Sequence, residues 1–277
     1  MKLGSEFLMT FPEANLPIEP QGGTDPSRFD LLGVKISALT LDGAADLIGK
    51  WVASGTKHYV NVCTSGTLLE CHDHPGLAEI VNRAGMATPD GMPLVWLGRW
   101  RGFNVSRVYG PDLMLKVTER GLPRRLRHFY YGSTARVLDR LRDRLQQRFP
   151  GLEVVGMQAP PFRALTADEI QATAALINAA RPDIVWVGLG TPKQDEWVGR
   201  FRSLLEAPVL VAVGAAFDFH AGTVRQAPRW MMRCGLEWFF RLLMEPRRLW
   251  RRYLIGNPRF VALVLQQGWR EGFWKKR

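Results

Sequence analysis

The sequence predicts an α/β fold: a Rossmann-like parallel sheet flanked by helices, followed by a basic, amphipathic helical appendage. From Arg28 onward, short β-branched runs alternate with amphipathic helical stretches, the pattern of strands joined by helical crossovers. Several of these runs end at a glycine that turns the chain into a helix. Charge is also segregated. Of the net +11, residues 225–277 hold 13 Lys+Arg against 3 Asp+Glu, whereas the preceding 224 residues balance to +1.

The elements follow in order. Residues 1–28 are set aside: Lys2-Leu3-Gly4-Ser5-Glu6-Phe7 looks like translated cloning sites, and residues 12–26 mix Pro, Gly and polar residues without periodicity. A helix is expected over 41–54, a strand over 58–62, a helix from about Thr67, a turn at Thr88-Pro89-Asp90-Gly91, and a helix over 92–100. The second half is more regular. His128 to Tyr131 is a strand ending in Gly132-Ser133, after which Val137, Leu138, Leu141 and Leu145 fall at helical spacing. Residues 153–156 form the next strand, and Thr166 with Glu169 is a capping box opening a helix to Ala180. Asp183 to Gly188 and Val209 to Gly214 are near-continuous apolar strands. Between them Thr191 with Gln194, and Pro192 at the first helical position, also reads as a capping box. The domain plan is therefore a lead-in over 1–28, an α/β domain over 29–228 and the appendage over 229–277.

With 46% hydrophobic and 23% charged residues in 277, the chain can bury a substantial core. Cys63, Cys71 and Cys234 form neither a CxxC pair nor a zinc-spaced cluster, so no disulfide framework and no metal site are expected, as befits a cytoplasmic protein. No apolar run approaches the roughly 18 residues of a membrane span, and no signal-peptide pattern opens the chain.

In an open parallel sheet, ligands bind beyond the carboxyl ends of the strands. The candidate loops are therefore 61–66, 88–91, 132–133, 190–194 and 214–222, and glycines there bring backbone N–H groups and helix N-termini toward a phosphate. They supply Asn61, Cys63, Thr64, Gly132, Ser133, Gly190, Lys193, Gln194, Gly214 and Asp218 as candidate ligand contacts. Lys193 stands where a GxGxxG fingerprint needs its third glycine, which argues against a dinucleotide cofactor. Each candidate also has a plain structural role. Gln194 can simply cap a helix, Asp90 can simply make a turn, and Arg107 can be a surface arginine. Asp218, set between Phe217 and Phe219, needs a partner if it is buried.

In the appendage, Trp238, Trp250 and other apolar residues interleave with Arg241, Arg247, Arg248, Arg251 and Arg252, and Pro246 divides the stretch into two short helices. An apolar face with flanking arginines suits the headgroup layer of an anionic membrane. Arg241, Arg248 and Arg251, spaced by seven and three, could equally grip a diphosphate. No nucleic-acid-binding module surrounds them.

Taken together, Thr88-Pro89-Asp90-Gly91-Met92, Arg107-Val108-Tyr109-Gly110-Pro111-Asp112, Gly188-Leu189-Gly190-Thr191-Pro192-Lys193-Gln194-Asp195, Gly235-Leu236-Glu237-Trp238 and Asn257-Pro258-Arg259-Phe260 resemble the WecG/TagA/CpsF glycosyltransferases over about residues 30–265. The resemblance implies transfer of a hexose or N-acetylhexosamine from a UDP-sugar to an undecaprenyl-diphosphate-linked saccharide, with inversion and without a metal or other cofactor. It places the enzyme peripherally on the cytoplasmic face of the membrane, in polysaccharide biosynthesis. It further implies Asp90 as general base, Arg107 and Gln194 in the substrate pocket, and Arg241, Arg248 and Arg251 on phosphate. The sequence Asn61-Val62-Cys63-Thr64-Ser65-Gly66 departs from the Thr-x-Asn pattern of many relatives and leaves the donor open between N-acetylmannosamine, glucose and another hexose. The alternative from the residues alone is a non-catalytic, nucleotide-binding peripheral membrane protein.

Overall fold

A computed structural model of the chain describes residues 26–272, so most of the set-aside lead-in and the last five residues of the appendage lie outside the described residues. The fold begins with an antiparallel hairpin, β1 (Arg28–Leu31) and β2 (Val34–Ser37), followed by α1 (Leu41–Ser54). Next come β3 (His58–Cys63), α2 (Ser65–Asp73), α3 (Pro75–Arg83), β4 (Met86–Pro89), α4 (Met92–Trp100) and α5 (Gly110–Gly121). The regular half is β5 (Arg127–Gly132), α6 (Ala135–Arg148), β6 (Glu153–Gln158), α7 (Ala167–Ala180), β7 (Ile184–Gly188), α8 (Lys193–Phe201), β8 (Val209–Ala212) and α9 (Ala216–Ala221). The chain ends in α10 (Arg229–Arg233), α11 (Glu237–Met244), α12 (Pro246–Trp250), a π-helical turn (Arg251–Ile255) and α13 (Gly256–Arg270).

Strands β3 to β8 form one parallel sheet in the order β4-β3-β8-β7-β5-β6, as expected for an α/β fold. The central strands are buried on both faces and alternate between two cores with the period of two that a pleated strand imposes. Val60, Tyr130, Trp186 and Val211 face a core shared with α1, α5 and α6, to which Val137, Leu138, Leu141 and Leu145 contribute. Tyr59, Phe129, Val185 and Leu210 face the opposite core, shared with α7 and α8. A third core joins the hairpin, α2, α3 and α4 to the end of the chain: Phe260 and Val264 of α13 are buried with Leu31, Cys63 and Leu68.

Three local expectations change. Thr88 and Pro89 close β4, so the turn begins only at Asp90, where the backbone N–H donates to Cys63 O at 2.9 Å. Asp218 lies inside α9, not at a strand end. The Thr166/Glu169 capping box forms, but the Thr191/Gln194 box does not. Pro192 is itself the N-cap of α8 and already has near-helical backbone angles, which puts the Gln194 side chain to another use.

Candidate active site

A cavity of about 820 Å³ opens at the carboxyl ends of the strands, where the sequence placed it. Its walls include Thr64 to Gly66 after β3, Asp90 and Gly91 after β4, Ser133 after β5, Gly188 to Thr191 after β7, and Gly214 to Ala216 after β8. Arg107 and Tyr109 line it from the segment preceding α5. Helix α11 and the segment behind it cover the open side with Glu237, Trp238, Arg241, Arg248, Arg252 and Tyr253.

The glycines work by close approach. A Cβ on Gly132 would stand 2.4 Å from Gly188 O, and its φ is +131°, so both the packing and the backbone exclude a side chain. Gln194, buried at the start of α8, accepts through Oε1 from the Gly190 N–H at 3.0 Å and packs beside Gly214. One amide thus ties together the loops after β7 and β8. Thr64 caps α2 and still lines the cavity. Lys193, Asp218 and Ser133 line it as well.

Not every candidate reaches the cavity. Asn61 and Cys63 are fully buried within β3 and do not line it. The Asn61 side chain instead donates to Asp195 Oδ1 at 2.7 Å, while Asp195 Oδ2 and Asn61 Oδ1 are buried without a partner. Burial, the largest cause, raises Asp195 to about 6 against the lowering effects of Asn61, Thr191 and Arg252. Gly132 does not line the cavity either; it packs against Gly188, which does. In the appendage Arg241, Arg248 and Arg252 line the cavity, whereas Arg247, Arg251 and Trp250 do not. The expected face assumed helicity across the break, but the chain bends at Glu245 and widens into the π-helical turn at Arg251, whose guanidinium lies 5.2 Å from the Trp250 ring centroid.

On the cavity wall, Asp90 Oδ1 accepts from Arg107 Nη2 at 2.8 Å and from Nε at 3.1 Å, and Arg107 Nε also donates to the Asp90 backbone carbonyl. Arg107 Nη2 reaches Glu237 Oε2 at 2.6 Å, and its guanidinium stacks 4.3 Å from the Tyr109 ring centroid. Burial, the dominant cause, pushes Asp90 up to about 6; Arg107 pulls it down and Glu237 pushes it further up. Although burial alone would lower the Arg107 pKa, the two carboxylates raise it well above its ordinary value. Nearby, Arg241 Nε is buried with no hydrogen-bond partner, and the guanidinium lies 5.8 Å from the Phe219 ring centroid. An unpaired cationic donor at a cavity wall suits an anion.

The model of the glycosyl transferase WecG/TagA/CpsF family matches residues 29–273. The chain belongs to that family. A protein of Bacillus spizizenii named N-acetylglucosaminyldiphosphoundecaprenol N-acetyl-beta-D-mannosaminyltransferase is 32% identical over 198 residues, 71% of this chain and 74% of its own. Proteins of the same name from Bacillus subtilis and Staphylococcus aureus are 28% identical over 190 residues and 24% over 239, covering 68% and 85% of this chain and 72% and 91% of their own. This WecG/TagA/CpsF protein is a glycosyltransferase.

Sequence reasoning missed Glu237 and Tyr109 as site residues. Both stood within quoted motifs, but nothing local distinguishes a carboxylate that contacts a distant arginine from one on a solvated helix. Among the described residues, no group of three or more His, Cys, Asp or Glu side chains could hold a metal ion, and no helix is long and apolar enough to cross a membrane.

Proposed function

We propose that the protein transfers a hexose or N-acetylhexosamine from a UDP-sugar to a saccharide carried on undecaprenyl diphosphate, in one inverting displacement at the cytoplasmic membrane face. The observation that carries this reading is the buried Asp90 carboxylate at the cavity wall. Both Arg107 contacts fall on Oδ1, so Oδ2 is left to take the proton of the acceptor hydroxyl. As that proton moves to Asp90, the acceptor oxygen bonds to the anomeric carbon. The bond to UDP breaks, and its electron pair leaves with the diphosphate. A base with a pKa near 6 is matched to neutral operation.

The leaving charge is assigned to Arg241, Arg248 and Arg252, with the helix N-termini beyond β3 and β7, and no metal is required. The exposed apolar residues Leu243, Met244, Trp250, Leu254 and Ile255, set among the arginines, are assigned to the membrane that carries the acceptor. N-acetylmannosamine, the sugar in the relatives' names, is the first donor to test. In UDP-release assays with a lipid diphosphate acceptor, Asp90→Asn is expected to lower kcat by roughly 10²- to 10⁴-fold. EDTA-treated enzyme is expected to keep its turnover. Turnover of Asp90→Asn within about threefold of the unaltered enzyme would remove Asp90 from the base role.

A further inference from the structure

Helix α11 of the appendage brings a second carboxylate to the Asp90–Arg107 pair. Glu237 is the first residue of α11, and its Oε2 meets the same Arg107 nitrogen that holds Asp90: Nη2 is 2.6 Å from Glu237 and 2.8 Å from Asp90 Oδ1. Glu237 Oε1 accepts from the Tyr109 hydroxyl at 3.4 Å, and that hydroxyl accepts from Gln226 Nε2 at 3.4 Å. The Asp90, Arg107 and Glu237 side chains are only 13–18% exposed, so little water screens them.

An arginine alone with a carboxylate tends to form a fork, two N–H groups on two oxygens. Arg107 does not do so, because Nη2 is divided between carboxylates on separate segments and Asp90 Oδ2 receives no N–H. We propose that Glu237 is a positioning residue: by sharing Arg107 it prevents a closed fork on Asp90 and keeps the base open to the acceptor hydroxyl. This rests on Asp90 being the base. The electrostatics point the same way. The groups acting on Asp90 are Arg107 and Arg241, which favour its ionised form, and Glu237, which opposes it, over the dominant effect of burial. Without Glu237, Arg107 would neutralise Asp90 more completely and make it a weaker base.

The test is the pH–rate profile of the full-length enzyme with a UDP-sugar and a lipid diphosphate acceptor. A base must be ionised to work, so kcat/KM rises with pH through its pKa. In Glu237→Gln the acid limb is expected to move to lower pH by roughly 0.5–1 unit, with kcat about 3- to 30-fold lower and donor KM within about threefold. Glu237→Asp, with a retracted carboxylate, is expected to move the limb the same way by less. A role confined to holding the arm would lower the rate at every pH and leave the limb in place. An unmoved limb in Glu237→Gln overturns the proposal, and if that variant does not fold, an unmoved limb in folded Glu237→Asp does so. Asp90→Asn separates the two readings. Turnover retained there removes the base itself, whereas turnover lost there with an unmoved limb in the Glu237 variants removes only the role of Glu237.

Discussion

Asp195 shows how one buried carboxylate becomes a stability term. It is fully buried, accepts from Asn61 and has its pKa raised to about 6, above the usual ~3.9 of a free aspartate. A folded-state pKa above the unfolded value gives stability that is complete below about pH 4 and is lost as pH rises through about 6. Asp195→Asn keeps an oxygen for Asn61 and removes the buried charge. Its thermal unfolding is therefore expected to match the unaltered protein near pH 4.5 and to show a gain on the order of 1–3 kcal/mol at pH 8. A loss at pH 8 would mean that Asn61, Thr191 and Arg252 together stabilise the carboxylate more than its burial opposes it. Gln194, one residue earlier, shows why single residues were only partly legible. Thr-Pro-Lys-Gln satisfies a capping pattern locally, and only the close return of the Gly190 and Gly214 loops reveals the second use of its amide. Asp90 and Arg107 were ambiguous because a Pro-Asp-Gly turn and a lone arginine say nothing of each other until the fold brings them together.

At the scale of elements, strong periodicity was legible and mixed signals were not. The helix carrying Leu138 occurs where its apolar spacing put it, the helix carrying Ile177 behind its capping box, and the strands through Trp186 and Val211 where near-continuous apolar runs lie. Strand β4 was hidden by Thr88 and Pro89, residues that suit a turn as well as the end of a strand. Pro246 opens α12 as expected, but the π-helical turn behind it has no such marker in the sequence, and Arg252 lines the cavity in the place given to Arg251. The same segment bears on membrane attachment. Leu254 and Ile255 are 55% and 56% exposed, whereas Phe260, in the next helix, is buried against the hairpin and α2. Leu254→Asp with Ile255→Asp is therefore expected to reduce sedimentation with anionic vesicles at least tenfold without lowering the melting temperature, since it touches only exposed positions. An equal fall in vesicle binding and in melting temperature would instead assign these residues to packing.

Across the whole molecule, the sheet topology and the charge distribution orient the enzyme together. The parallel strands deliver every substrate loop to one end of the sheet, and the chain returns there with α10 to α13, so the basic segment covers the mouth of the cavity. Composition already located a net +10 in residues 225–277, but could not say that Arg241, Arg248 and Arg252 would line the cavity while Arg247 and Arg251 would not, or that Arg248 would stay largely exposed and pair with Glu245. That division separates two electrostatic roles with different sensitivity to salt. Exposed cations on the proposed membrane face are screened over about 8 Å at 0.15 M salt and about 3 Å at 1 M, whereas a guanidinium with a buried unpaired N–H, such as Arg241, is screened much less. Raising salt from about 0.1 M to 0.5 M is therefore expected to release most of the protein from anionic vesicles, while donor KM with a short-chain, soluble acceptor rises by less than about threefold. Arg247→Gln with Arg251→Gln should reproduce the first effect and not the second. A donor KM that rises in parallel with vesicle release would show that the inner and outer arginines act as one surface.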